Sequence, residues 1–191
     1  QEIKLKISDL AFGGRGISKK DDLVFFVKDA IPNQDVIAKI SKIKKNYVEA
    51  YSIETLKESK DQIETVCEHF RWCGGCTTQQ LEYQKQLHYK QKQISDILNK
   101  IAGEKDLVIN PIIGCEQTFF YRNKMEYTFS GVPWYIGDES YDDVVIGLHV
   151  PKRFDKILSI NKCHINHDVF NDILQISKEV SVKEKMVPYD V

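Results

Sequence analysis

Residues 67–76 read Cys-Glu-His-Phe-Arg-Trp-Cys-Gly-Gly-Cys and divide the chain into two parts of different character. Before them the hydrophobic pattern predicts short strands, and after them it predicts a long helix followed by mixed strands and helix. The three cysteines have the spacing Cys-x5-Cys-x2-Cys, and Gly74 and Gly75 allow the backbone to fold closely around a bound centre. The pattern predicts an α+β protein with a candidate metal site at the junction.

The first part, residues 1–57, is predicted to form a small antiparallel OB-like β-barrel. Ile3, Leu5 and Ile7 alternate with charged residues, which is the period of a half-buried strand. Further apolar or β-branched runs predict strands at 23–27, 36–43 and 47–56, with turns at 12–16 and 32–35. Several short strands in about sixty residues are typical of such a barrel.

The second part, residues 58–191, is predicted to be α+β. A long helix of about 78–102 would be capped by Thr77 or Thr78 and would end at Gly103. Further strands are predicted at 127–129, 144–149 and 157–160, and a second amphipathic helix at 168–180. The stretch 138–143 is acidic and is predicted to be a loop. The apolar stripe of the long helix consists of Leu81, Leu87, Ile94, Ile97, Leu98 and Ile101.

Composition narrows the possible functions. The 191 residues carry a formal net charge of only −1, so nucleic-acid binding would depend on local basic patches and not on overall charge. No apolar run approaches the roughly 20 residues of a membrane span. Five cysteines, two of them in Cys-x2-Cys, favour metal binding in a reducing compartment. We expect a cytoplasmic monomer.

The cysteine spacing leaves the metal open. Soft thiolates select zinc or iron–sulfur clusters, and a four-thiolate site needs Cys115 or Cys163 as its fourth ligand. Structural zinc sites usually have a second Cys-x2–4-Cys pair, which is missing here, so the spacing favours a cluster. Zinc remains an alternative, with His69, His164 or His167 as possible nitrogen ligands, although the sequence favours an ordinary surface or packing role for each histidine. Unligated buried thiols are the third possibility.

Two groups of residues are candidates for nucleic-acid contacts. The run Lys39, Lys42, Lys44 and Lys45 has no intervening acid and is followed by Tyr47, so it combines phosphate-binding charge with an aromatic platform for a base. The alternative is a solvated strand edge protected by lysine. The second group is Arg122, Asn123 and Lys124, for which the alternative is ion pairing with the acidic loop 138–143.

Several ordered motifs resemble one family. Residues 42–50, Lys-Ile-Lys-Lys-Asn-Tyr-Val-Glu-Ala, are similar to the end of a TRAM domain, and residues 67–76 resemble the cluster motif of the RNA (uracil-5-)-methyltransferases. Leu81-Glu82-Tyr83-Gln84, Tyr121-Arg122-Asn123-Lys124 and Lys162-Cys163-His164-Ile165 follow in the expected order. The resemblance covers nearly the whole chain.

The resemblance implies a four-iron four-sulfur cluster bound by Cys67, Cys73, Cys76 and Cys163, which leaves Cys115 as a small hydrophobic residue of the core. It also implies RNA binding through Lys42, Lys44, Lys45, Tyr47, Arg122, Asn123 and Lys124, on a ribosomal or transfer RNA.

Whole members of this family use S-adenosylmethionine in a Rossmann-like domain that also carries the catalytic groups. No pattern for such a domain is present here, so we expect an N-terminal fragment without catalytic or cofactor-binding residues, inactive by itself. The alternative is a self-contained RNA-binding module stabilised by zinc or a cluster.

Overall fold

The computed structural model describes residues 1–103, 107–134 and 144–188, and the predicted acidic loop 138–143 lies outside these ranges. The chain forms two compact units. The first comprises Gln1–Glu64 and Thr77–Gly114, and the second comprises Thr65–Cys76 and Cys115–Val191. The long helix therefore belongs to the first unit. The domain boundary predicted between residues 57 and 58 stays a prediction, since compact packing alone does not define a domain.

The first unit contains a six-stranded sheet with the order β1-β5-β6-β4-β3-β2. Its inward residues include Leu5, Phe25, Val36 and Val48, which form one buried core. The predicted alternation of the first strand is confirmed, because Leu5 and Ile7 are buried between exposed lysines and serine. The strands are β1 (Glu2–Lys6), β2 (Asp9–Leu10), β3 (Gly16–Lys20), β4 (Leu23–Lys28), β5 (Asp35–Ile43) and β6 (Tyr47–Lys57).

The predicted antiparallel barrel requires correction. β4 and β6 pair in parallel, so the sheet is mixed. The reason is topological: the chain reverses between β4 and β5 and again between β5 and β6, which returns β6 to the direction of β4. β1 and β2 are the edges, and no strand pairing among the described residues closes the sheet into a barrel. An OB-like barrel is therefore not confirmed.

The long helix begins later than predicted. α1 spans Tyr83–Ile97 and continues as a π-helical turn, Leu98–Ala102, that ends at Gly103 with φ 73°. The predicted end is confirmed, but the predicted cap at Thr77 or Thr78 is wrong. The backbone before Glu82 instead pairs with residues 62–63, since the Ile63 N–H donates to the Gln80 oxygen at 2.9 Å. Among its described side chains α1 buries none, and Ile94 and Ile97 are exposed.

The second unit packs a four-stranded sheet against helix α2 (Asp168–Lys183). The sheet order is β7-β9-β10-β8, and β8 runs parallel to β10. Leu158, Ile160 and Leu174 are its buried centre. The strands are β7 (Thr128–Ser130), β8 (Pro133–Trp134), β9 (Val145–Val150) and β10 (Arg153–Ser159). In the described part of the chain, no helix is long and apolar enough to cross a membrane.

Candidate metal centre

The three clustered cysteines lie in the second unit together with Cys163. The loop 65–76 carries Cys67, Cys73 and Cys76, and all four thiols are partly buried. Cys73 and Cys163 pack against the same core formed by Leu158, Ile160 and Leu174. Two of the predicted ligands, which come from distant segments of the chain, therefore meet at one hydrophobic cluster.

His69 connects the cysteine loop to the segment before Cys163. Its side chain is buried, and its Nε2 accepts a hydrogen bond from the Asn161 backbone N–H at 3.0 Å. The same Nε2 lies 3.3 Å from Oε1 of Glu68. The His69 carbonyl oxygen also accepts from the Cys73 N–H at 2.8 Å, so the same residue shapes the loop.

Cys163 is held in place by a side chain of α2. The buried Asn171 amide contacts the Cys163 backbone twice: its Oδ1 accepts from the Cys163 N–H at 2.9 Å, and its Nδ2 donates to the Cys163 oxygen at 3.2 Å. Gln175 Nε2 donates to the Asn161 oxygen at 2.7 Å, and Lys178 Nζ donates to the Ile160 oxygen at 2.8 Å. The inward face of α2 thus holds residues 160–163 through polar contacts.

The thiols interact electrostatically. Burial raises the pKa of the Cys67 and Cys73 thiols and raises that of Cys76 to about 11. Repulsion from the neighbouring thiolates, including Cys163, adds to the increase for all three. Arg122 opposes it by lowering the pKa of Cys73 and Cys76. Four mutually interacting thiols beside one guanidinium form a site where a bound cation would favour deprotonation.

No group of three or more His, Cys, Asp or Glu side chains within residues 1–103, 107–134 and 144–188 is arranged to hold a metal ion. The thiols are gathered without forming a preformed single-ion site.

The alternative ligands have other contacts. Cys115 is exposed, so its predicted place in the core is wrong, and its Sγ donates to the Gln117 oxygen at 2.9 Å. His69 binds Asn161, His164 lies edge-on to Phe119, and His167 caps α2 by accepting from the Val169 N–H.

The residues predicted to bind RNA fall in both units. Lys42, Lys44 and Lys45 are exposed at the end of β5 and in the turn to β6. Tyr47 is half-buried, edge-on to Phe26 with ring centroids 5.5 Å apart. Together they form a basic edge of the unit at the turn between β5 and β6, which are not edge strands of the sheet, with an aromatic pair beside it.

In the second unit, Arg122, Asn123 and Lys124 are also exposed. Lys124 pairs with Glu126 at 2.7 Å, whereas Arg122 Nε donates to the Lys124 oxygen at 3.1 Å. The alternative ion pair with loop 138–143 lies outside the described residues.

Sequence reasoning missed the residues that support the cysteines. From the sequence, His69 is a possible zinc ligand and Arg122 is a candidate RNA contact or ion-pair partner of loop 138–143, and neither is predicted to support the cysteines. Asn171 was not considered, although an asparagine inside an amphipathic helix is a signal, because asparagine is a poor helix former unless its amide has a partner.

Two relatives are similar to this chain over most of its length. A protein of Bacteroides thetaiotaomicron named an uncharacterized RNA methyltransferase is 39% identical over 86% of this chain. One of Porphyromonas gingivalis with the same name is 32% identical over 94%. The chain spans only 37% and 41% of these two relatives.

One solved structure has a similar fold. The tRNA (uracil-54, C5)-methyltransferase of Pyrococcus abyssi, in complex with S-adenosyl-L-homocysteine, matches 97% of this chain and 38% of its own chain. The TM-score is 0.60 and the sequence identity is 20%. No family model matches the chain. Given the named relatives that it matches over most of its length, the chain belongs to the RNA methyltransferase family, as its motifs predicted.

Proposed function

We propose that the chain is the N-terminal part of an S-adenosylmethionine-dependent RNA (uracil-5-)-methyltransferase, and that it binds RNA and a four-iron four-sulfur cluster. The observation that supports the proposal is that the thiols of Cys67, Cys73, Cys76 and Cys163 interact electrostatically in the second unit, where Cys73 and Cys163 pack against one core. A cytoplasmic location is part of the proposal, because exposed and half-buried thiols stay reduced there.

The donor set fits a cluster. Four thiolates are the usual ligands of a cubane, and its cysteines lie farther apart than the ligands of a single ion, because the irons and sulfides separate them. Cys67, Cys73, Cys76 and Cys163 would hold it, with Arg122 as the nearby positive charge. When bound, the cluster would link the cysteine loop to the segment after β10, so its role is structural.

Anaerobic reconstitution with iron and sulfide tests the ligand set. We expect about four irons per chain in the unchanged protein and in Cys115→Ala, and a large loss of iron and of visible absorbance in Cys163→Ala. Zinc analysis of the same preparations distinguishes a zinc site. Loss of iron in Cys115→Ala together with retention in Cys163→Ala would show that the fourth ligand is misassigned.

RNA binding is proposed for the basic edge around β5 and β6. Lys42, Lys44 and Lys45 are exposed and would contact phosphates, while Tyr47 would contact a base. Each phosphate contact contributes roughly 0.7–0.9 to the slope of log affinity against log salt, so Lys44→Gln with Lys45→Gln should reduce that slope by about 1.4–1.8.

The matched control for this test is Lys19→Gln with Lys20→Gln. Those two lysines are also exposed on the first sheet, but they belong to β3 and not to the turn between β5 and β6. Filter binding across a salt series measures both pairs. An equal change in slope for the two pairs would mean that the basic edge has no specific role. Arg122, Asn123 and Lys124 are proposed as a second contact.

The proposed reaction of the whole protein requires residues beyond this chain. A thiolate would add to uracil C6, C5 would take the methyl group from S-adenosylmethionine, and a base would remove the C5 proton as the thiolate leaves. The named relatives are more than twice as long as their match to this chain, which supports a further domain. Labelled S-adenosylmethionine and uracil-containing RNA should give product with the full-length protein and none with residues 1–191. A self-contained RNA-binding module would give no product in either case.

A further inference from the structure

Helix α2 turns its apolar stripe away from its own sheet. Val169, Ile173, Ile176 and Val180 follow the spacing i, i+4, i+7 and i+11, so they lie within about 60° of one another around the helix. These four residues are 45–59% exposed. A helix that packs on one sheet normally buries this stripe.

The opposite side of α2 is the one that packs, and it is mostly polar. Its buried residues are Asn171, Leu174 and Ser181, and only Leu174 is apolar. Lys178 lies on the same side and donates to Ser159 and Ile160. The helix therefore uses hydrogen bonds to hold residues 159–163. Its apolar stripe stays exposed, and no element among residues 1–103, 107–134 and 144–188 covers it.

We propose that the stripe Val169, Ile173, Ile176 and Val180 is the docking surface for the part of the protein that follows residue 191 in sequence. This rests on the proposed function, in which the chain continues into a methyltransferase domain. The two relatives are long enough to contain such a domain, since the region that matches this chain is only 37% and 41% of their lengths. α2 ends at Lys183, so in the proposed full-length protein a segment that follows residue 191 would begin within about ten residues of the helix.

The size of the stripe favours an intrachain partner. Stable dimers use roughly 20–30 residues on each side, far more than four side chains provide. A covalently linked domain needs less area, because the linker supplies a high effective concentration. Val and Ile side chains with no charge among them suit an apolar face of that domain rather than RNA phosphates.

The test uses the full-length protein. A photoreactive benzoylphenylalanine replaces Ile176, and the same group at Glu179, exposed beside the stripe, is the matched control. We expect cross-links from position 176 to peptides beyond residue 191, at least fivefold more abundant than those from position 179. Cross-links to residues 1–188, to a second copy or to none would overturn the proposal.

Carbene footprinting of the unmodified full-length protein gives a second measurement that does not depend on the variant. We expect Ile173 and Ile176 to be labelled at least fivefold less than Val182, which is exposed on another side of α2. Equal labelling would overturn the proposal. Neither measurement requires methyl transfer, so a parallel activity assay separates failure of docking from failure of the proposed function.

Discussion

Replacing Asn171 with alanine removes the side chain that holds the Cys163 backbone. The amide accepts from the Cys163 N–H at 2.9 Å and donates to the Cys163 oxygen at 3.2 Å. Alanine leaves both backbone groups without this partner in a partly buried position. Each lost hydrogen bond costs roughly 0.5–1.5 kcal/mol, and a buried group left unpaired costs about 1–3 kcal/mol.

The expected net loss of unfolding free energy is about 2 kcal/mol. Alanine is the better helix former by roughly 0.5 kcal/mol, which offsets part of the cost. For a chain of this length, 2 kcal/mol corresponds to a decrease in melting temperature of roughly 4–8 °C. Thermal unfolding followed by circular dichroism on metal-free protein measures it.

Asp172→Ala is the matched control, because Asp172 is the next residue of α2 and is exposed. Its effect should stay within about 0.5 kcal/mol. Equal melting temperatures for Asn171→Ala and Asp172→Ala would refute the role of the amide. A decrease in both would instead indicate a general sensitivity of α2 to substitution.

Three further predictions concern the second unit. His69→Ala should lower the unfolding free energy by about 2 kcal/mol in urea titrations, because the Asn161 N–H loses its acceptor; an unchanged midpoint would contradict this. Gly147→Ala should lower the free energy of unfolding by at least about 3 kcal/mol in the same urea titrations, because a Cβ at position 147 would overlap the Leu158 carbonyl oxygen. A variant of unchanged stability would show that β9 and β10 are not so closely paired. In metal-free protein at pH 8, iodoacetamide should modify the exposed Cys115 before Cys76. The reason is that burial raises the pKa of the Cys76 thiol to about 11 and so lowers its thiolate fraction. Equal rates of modification of the two cysteines in peptide mass spectra would contradict the burial of Cys76.

Local patterns predicted the strands that have strong alternation or a continuous apolar run, such as β1 and β4. β3 was missed, because Gly-Ile-Ser-Lys-Lys is a weak strand signal and its pairing with β4 across Asp21 and Asp22 stabilises it. Both aspartates have positive φ, which the tight turn requires.

Non-local pairing explains the other differences. The parallel pairing of β4 with β6 and the late start of α1 both depend on contacts between distant residues, such as Ile63 with Gln80. The same holds for the candidate metal centre. The local spacing of the cysteines was enough to predict the thiol ligands, whereas the contact of His69 with Asn161 joins distant residues and depends on the fold.

The two faces of α2 explain why a polar inward side is useful. Apolar side chains on a sheet tolerate sliding and repacking, whereas hydrogen bonds from Asn171 and Gln175 to the Cys163 and Asn161 backbones specify one position of the helix. The polar side of α2 sets the position of Cys163. The apolar stripe on the opposite side is therefore not needed for the local core and can contact another domain. A domain that docks on the stripe and shifts α2 would then also move Asn171 and Cys163. If the proposed docking occurs, it and the cysteine site would be connected through one helix, and Asn171→Ala should weaken that connection while leaving the stripe intact.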